Sequence, residues 1–352
     1  MTDIANFLKE LIAAPGLSGY ESTVHPLIEK AWEPVTDQIS QSKLGSLHGL
    51  QRGTGPEPRQ SILVATHMDA IGLMVNAVIE GFLRVTSIGG IDARVLPGQI
   101  VTVHGRRDLP GLVVATPARL LPSYVQGGVT PLEYLLVDVG LLPQDVADLV
   151  RVGDTISFAQ PPIETAGETL VGHTLDNRAS VAALTHCLEL LHTRAHVWDV
   201  WAVATVQEEN SLGGAYTSAF QLHPSLALAV DVTFASSPGS PSHKTFPLGK
   251  GPTLIWGPNV HPLLFKTLKD LAEQLEIPFN LEPTPSHTGT DTFAMQVTAD
   301  GIPNMVIGIP LRYMHTPVEM VALKDVYRAG RLVAELIAQL DDGFMEKLTW
   351  DN

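Results

Sequence analysis

Cysteine is almost absent from this chain of 352 residues: Cys187 is the only one. An intramolecular disulfide is thereby excluded, and so is a zinc knuckle built on thiolates. Charge is scarce as well. Asp, Glu, Lys and Arg make up 17% of the residues, against a usual share of about 25%, which predicts that other subunits cover some of the surface. The charge present leans negative, with 22 basic against 37 acidic residues and a formal balance of −15. That argues against a nucleic acid or an anionic membrane as partner. Long apolar runs are missing too. The longest uncharged stretch, 210–230, contains Gly213-Gly214 and Pro224 and makes a poor membrane span. The first residues carry Asp3, Lys9 and Glu10 among their apolar positions and read as an amphipathic helix rather than a secretion signal. A soluble, cytoplasmic protein is expected.

Some chemistries lack their signatures. The sequence has no Gly-x-Ser-x-Gly elbow, no Walker loop and no Gly-x-Gly-x-x-Gly fingerprint. Gly89-Gly90 reads as a turn, because no helix follows it. Cys187 sits in a predicted helix and reads as core.

The patterns that are present describe an α/β protein. Ile4, Phe7, Leu8, Leu11 and Ile12 follow helical spacing, and Ala14-Pro15-Gly16 stops that helix. Apolar runs at 61–66, 197–206, 226–230 and 305–309 read as strands. Helical patterns lie between and after them at 177–191, 261–275 and 323–340. This alternation predicts a mostly parallel sheet with helices on both faces. From about Gly72 to Glu164 the texture changes to short β-branched runs broken by Gly and Pro, the mark of a small β-rich module. Residues 1–71 and 165–352 are therefore expected to form one domain, interrupted by an inserted domain at 72–164.

The polar residues of interest follow predicted strands, where open α/β sheets hold ligands. His67 and Asp69 follow the first run. Asp176 follows an apolar turn, Glu208 and Glu209 follow the strand near Val206, Asp231 ends the next, and His315 lies beyond the last. Taken singly, His-x-Asp is usually a surface pair, Glu-Glu a solvated helix start and Asp231 a cap. Together, two imidazoles and several carboxylates suit a pair of divalent metals about 3.5–4 Å apart. A glutamate beside a ligating glutamate can also serve as a base.

These segments resemble the M42 family of metallo-aminopeptidases nearly end to end. The resemblance rests on Ala14-Pro-Gly-Leu-Ser-Gly-Tyr-Glu21, Ala65-Thr-His-Met-Asp-Ala-Ile-Gly72, Thr174-Leu-Asp-Asn-Arg178 and Gln207-Glu-Glu209. It continues with Gly213-Gly-Ala215, Asp231-Val-Thr233, Thr288-Gly-Thr-Asp291, Gly301-Ile-Pro303 and Pro310-Leu-Arg-Tyr-Met-His-Thr-Pro-Val-Glu319. It implies two divalent ions per subunit, zinc or cobalt foremost and manganese as a third option. His67, Asp176 and Asp231 would hold one, and Asp176, Glu209 and His315 the other. Asp176 would bridge them, Glu208 would be the general base and later acid, and Asp69 would orient His67. The inserted domain would join dimers, which in relatives build a tetrahedral dodecamer. Two segments depart from the family pattern: Asn210-Ser211 replaces Val-Gly, and Leu175-Asp-Asn-Arg-Ala-Ser180 stands where the family has Leu-Asp-Asp-Arg-x-Gly.

The expected activity is removal of N-terminal residues from short peptides. Two other readings compete. One is another co-catalytic zinc hydrolase, a deacylase or carboxypeptidase, and the other is a metal-stabilised scaffold without activity. A scaffold has no need of a base at Glu208.

Overall fold

The computed structural model describes residues 2–349. Strands β1 (Gln38–Gln41), β2 (Leu47–Gln51) and β3 (Ser61–His67) come first. They are followed by β4 (Gly72–Ile79), β5 (Phe82–Ile88), β6 (Ile100–His104), β7 (Asp108–Ala115), β8 (Leu135–Asp138) and β9 (Thr155–Phe158). The remainder are β10 (Ile163–Thr165), β11 (Thr169–Gly172), β12 (Asp199–Thr205), β13 (Leu226–Phe234), β14 (Thr253–Trp256), β15 (Asn280–Pro283), β16 (Asn304–Arg312) and β17 (Glu319–Ala322).

Along β3 successive side chains face opposite ways, as the two-residue period of a strand requires. Ile62 and Val64 join one core with the helices Ile4–Ala13, Leu175–His192 and Leu323–Gln339. Leu63 and Ala65 join a second core with Ala215, Ala219, Ala294 and Met295 from helices on the other face. A strand buried on both faces reads as a continuous apolar run, which is why β3, β12 and β13 are legible in the sequence.

The large sheet is mixed, and the expectation of a mostly parallel sheet is corrected. Its centre, β12-β3-β13-β16, is parallel. On one side β2 and β1 add antiparallel, and on the other β17, β11 and β10 do the same. β1-β2 and β10-β11 are hairpins and β17 returns on β16 after a short loop, while β2 joins β12 and β11 joins β17 from distant parts of the chain. Antiparallel pairs need no crossover helix and leave no α/β alternation to read. The β1 sequence Gln-Ile-Ser-Gln also carries little apolar signal.

Between β3 and β10 the chain closes a six-stranded barrel, β4-β5-β8-β7-β6-β9, by pairing Leu73 with Ile156 across its first and last strands. Inward residues alternate with outward ones, as in β7. Leu73, Val75, Leu83, Val101, Val137 and Phe158 belong to a core separate from those of the large sheet. No helix among the described residues is long and apolar enough to cross a membrane.

One buried cation ties the sheet to the N-terminal helix. Arg178 is inaccessible to solvent. Its guanidinium donates to the carbonyl oxygens of Leu11, Ala14, Pro15, Gly16 and Met68. A planar five-donor fork can serve such a ring of acceptors, whereas a lysine could not.

Candidate active site

Four of the strands that reach this site are the parallel ones, and they deliver their residues at the same edge. His67 is the last residue of β3, and Glu208 and Glu209 open the short helix after β12. Asp231 lies within β13, which continues to Phe234 instead of ending at the aspartate. His315 stands just past β16, in the left-handed region at φ 61°. Asp176 comes from the start of the helix Leu175–His192, where the backbone is not helical (φ −78°, ψ 104°) and a cis peptide bond leads to Asn177. Gln207 and Thr174, next to or near these residues, also have positive φ, at 57° and 63°. Non-glycine residues at positive φ, such as Gln207, Thr174 and His315, gather where the fold must aim a side chain.

The side chains converge. His67 Nε2 lies 3.1 Å from Asp176 Oδ1 and 3.8 Å from both Glu208 Oε2 and Asp231 Oδ1. His315 Nε2 lies 3.3 Å from Asp176 Oδ2 and 3.4 Å from Glu209 Oε1. All five residues proposed from the sequence as ligands thus meet in one cluster, with Glu208 as near to His67 as Asp231 is. Asp69 is fully buried, with its carboxylate 3.5 Å from His67 Nδ1. That carboxylate also accepts the backbone N–H of Glu208 at 3.0 Å and of Glu209 at 3.2 Å, so it anchors the glutamate pair.

Burial and proximity shift the acids and bases strongly. Burial pushes Glu208, Glu209 and Asp231 above the usual carboxylate range. For Asp176 the effect of burial is outweighed by hydrogen bonds from His315 and His67, which hold it below that range. Burial opposes a charge on His67, but Glu208, Asp176, Asp69 and Asp231 around it raise it well above the usual imidazole value. His315, facing Asp176 and Glu209, is pushed up to about 11.

So many carboxylates around two imidazoles call for positive charge. Glu209 Oε1 is buried without a hydrogen bond. Ligand atoms of His67, Asp176 and Glu209 lie within 4.8 Å of one another, as do those of His67, Glu208 and Asp231. Imidazole nitrogen and carboxylate oxygen in this arrangement fit divalent cations such as zinc, cobalt or manganese.

Several neighbours carried no individual role in the sequence reading. Glu319 is buried and accepts the backbone N–H of Asp176 with Oε2 at 3.0 Å and of His315 with Oε1 at 2.9 Å. Asp291 is buried, accepts Thr205 Oγ1–H at 2.5 Å, and is pushed up to about 6 by burial. Both belong to segments that carried the family resemblance. Gly89-Gly90, read as a simple turn, caps the site: a Cβ on Gly90 would stand 3.1 Å from His315 Nδ1. The cluster opens into a cleft of about 700 Å³ that is also lined by Thr233, Ile255, Glu282 and Phe293.

Known proteins resemble this chain in sequence and fold. The family described as M42 glutamyl aminopeptidase matches residues 45–332. The lysyl aminopeptidase of Pyrococcus furiosus is 35% identical over 341 residues, covering 95% of this chain and 96% of that protein. A TET aminopeptidase from a marine sediment Thaumarchaeota archaeon superposes with a TM-score of 0.93 at 31% identity, over 98% of this chain and 99% of the other. The TET1 peptidase of Pyrococcus horikoshii gives a TM-score of 0.83 at 29% identity, over 96% of this chain and 100% of the other. Sequence, fold and length run together from end to end in these relatives, and the chain belongs to the M42 family of aminopeptidases.

Proposed function

We propose that this aminopeptidase depends on two divalent cations and releases N-terminal residues from short peptides. One observation carries the two-cation reading: Asp176 turns one carboxylate oxygen to each histidine, 3.1 Å from His67 and 3.3 Å from His315. A carboxylate so placed is built to be shared. His67, Asp176 and Asp231 would hold one cation, and Asp176, Glu209 and His315 the other. When bound, such a pair polarises the scissile carbonyl and acidifies a water molecule.

Glu208 is the remaining carboxylate of the cluster and acts as general base, then acid. Its Oε2 takes a proton from the attacking water and returns it to the leaving amine. Burial raises its proton affinity above that of an ordinary carboxylate, and a group that must both accept and release a proton is served by such tuning. Asp69 fixes the backbone from which Glu208 and Glu209 project.

The barrel, as part of an inserted domain at 72–164, joins subunits into a dodecamer. The TET1 peptidase of Pyrococcus horikoshii, similar in fold over its whole length, can assemble into a tetrahedron or a large octahedral shell. Here Ile100 and Leu112, paired across β6 and β7, are 62% and 42% exposed on the outside of the barrel.

The test is metal content against activity. Chelated protein should lose hydrolysis of aminoacyl-anilides, and zinc or cobalt should restore it as two ions bind per subunit. Full activity in protein shown by elemental analysis to lack transition metal would overturn this reading.

A further inference from the structure

Among the described residues lining the cleft there are five carboxylates and no lysine or arginine. Asp176, Glu208, Glu209 and Asp231 are occupied by the proposed chemistry. Glu282 is left over.

It is held with care. Glu282 Oε1 accepts Thr233 Oγ1–H at 2.9 Å, and Oε2 accepts Thr253 Oγ1–H at 2.7 Å. Both threonines are buried. The backbone makes room for this clamp at Gly308, where a Cβ would stand 2.4 Å from Thr253 Oγ1. Among the described residues no cation pairs with the carboxylate, and burial works against its charge. A half-buried carboxylate fixed by two neutral donors still has lone pairs free toward the cleft.

Its position sets what can reach it. Thr233 follows Asp231 by two residues on β13, so both side chains leave the same face of the strand, about 7 Å apart along it. The Glu282 carboxylate, hydrogen-bonded to Thr233, thus stands beside the face of β13 from which Asp231 projects. Ile255, the register partner of Glu282 across β14 and β15, and Phe293 add apolar lining to the cleft.

Resting on the aminopeptidase reading above, we infer that Glu282 selects substrates whose N-terminal residue is basic. An extended lysine or arginine lays its methylene stem along this apolar lining and sets its cation on Glu282. An acidic N-terminal residue meets like charge. A short apolar one leaves the carboxylate desolvated without a partner.

The experiment compares lysyl-, arginyl-, leucyl- and glutamyl-anilides on metal-loaded enzyme, wild type against Glu282→Gln. The basic anilides should lead in the wild type. In the variant, the ratio of kcat/KM for lysyl over leucyl substrate should fall by roughly 10- to 100-fold, the worth of one charged hydrogen bond. L-Lysinamide as a competitive inhibitor should weaken relative to L-leucinamide by a similar factor, a measurement independent of turnover. A wild-type preference for leucyl or glutamyl substrate overturns the inference and leaves the aminopeptidase intact. An equal fall for every substrate also overturns it, because Glu282 would then be holding the α-ammonium common to all. If no anilide is cleaved by enzyme loaded with two cations, the proposed function fails and takes this inference with it.

Discussion

Glu319 holds Asp176 by its backbone, Oε2 accepting the amide N–H at 3.0 Å from the start of the neighbouring β17. Its other oxygen accepts the amide of His315 at 2.9 Å, so one buried carboxylate positions two of the side chains proposed to share a cation. Glu319→Gln replaces one acceptor oxygen with an NH2 group, which would face an N–H donor. Metal affinity should drop by about 10- to 100-fold, the usual effect of losing a residue that supports ligands. Zinc titration against a competing chelator reads this directly. Unchanged affinity would mean that Glu319 merely fills space.

The adjacent glutamates should separate cleanly. Glu208→Gln keeps size and removes the proton acceptor, so activity should fall about 10²- to 10⁴-fold with both cations retained. Glu209→Gln exchanges a charged ligand for an amide oxygen, so one site should weaken and part of the activity should return at high metal concentration. Because Glu208 and Asp231 are equally near His67, the reverse outcome is informative. Metal lost from the Glu208 variant and kept in the Glu209 variant would exchange the two roles.

Acid should unfold the protein in part through His48. This residue is buried in β2, with Nε2 2.9 Å from Ser218 Oγ, and burial pulls its pKa down to about 4. In the unfolded chain it titrates near 6.5. Between those values the unfolded state binds the extra proton, so stability present above pH 6.5 is lost as the pH falls through 4. The difference in unfolding free energy between wild type and His48→Gln should therefore shrink by about 3 kcal/mol from pH 7 to pH 4. Denaturant titrations at intervals across that range test it, and parallel curves would reject it.

Assembly should depend on the outer face of the barrel. Placing charge at Ile100 and Leu112, as Ile100→Glu with Leu112→Glu, should shift sedimentation from a large species to a smaller one. An intact protein that sediments as a monomer at micromolar concentration would remove the basis for a dodecamer.

The parallel centre of the sheet was legible because its strands are buried on both faces and announce themselves as unbroken apolar runs. Four of the five ligand candidates, His67, Glu209, Asp231 and His315, were legible because each ends or follows such a run, whereas Asp176 follows only an apolar turn. The antiparallel flanks were not, since Gln38–Gln41 carries little apolar signal and no crossover helix marks it. Nor were the partners that work across long sequence distances. Glu319 acts on Asp176 from 143 residues away, and Glu282 joins Thr233 from 49 residues away. Their roles exist only once β17 lies near the turn at Asp176 and β15 lies near β13. Gly90 was read as a turn, which describes its backbone but not the histidine beside it.

The closed seam of the barrel has a consequence for how the cluster comes into being. His67 and Asp176 lie on opposite sides of the barrel in the chain, and the ends of the barrel meet where Leu73 pairs with Ile156. Once that seam has zipped, the two ligands are tethered by two short arms instead of by a long open loop. At equilibrium the gain is modest, because each doubling of a loop costs only about 0.6 kcal/mol. In time it matters more, since distant contacts are the slow ones to form. A barrel that closes ahead of the sheet would bring the two ligands together early, so a substitution that loosens β4 from β9 should delay the assembly of a cluster it never touches.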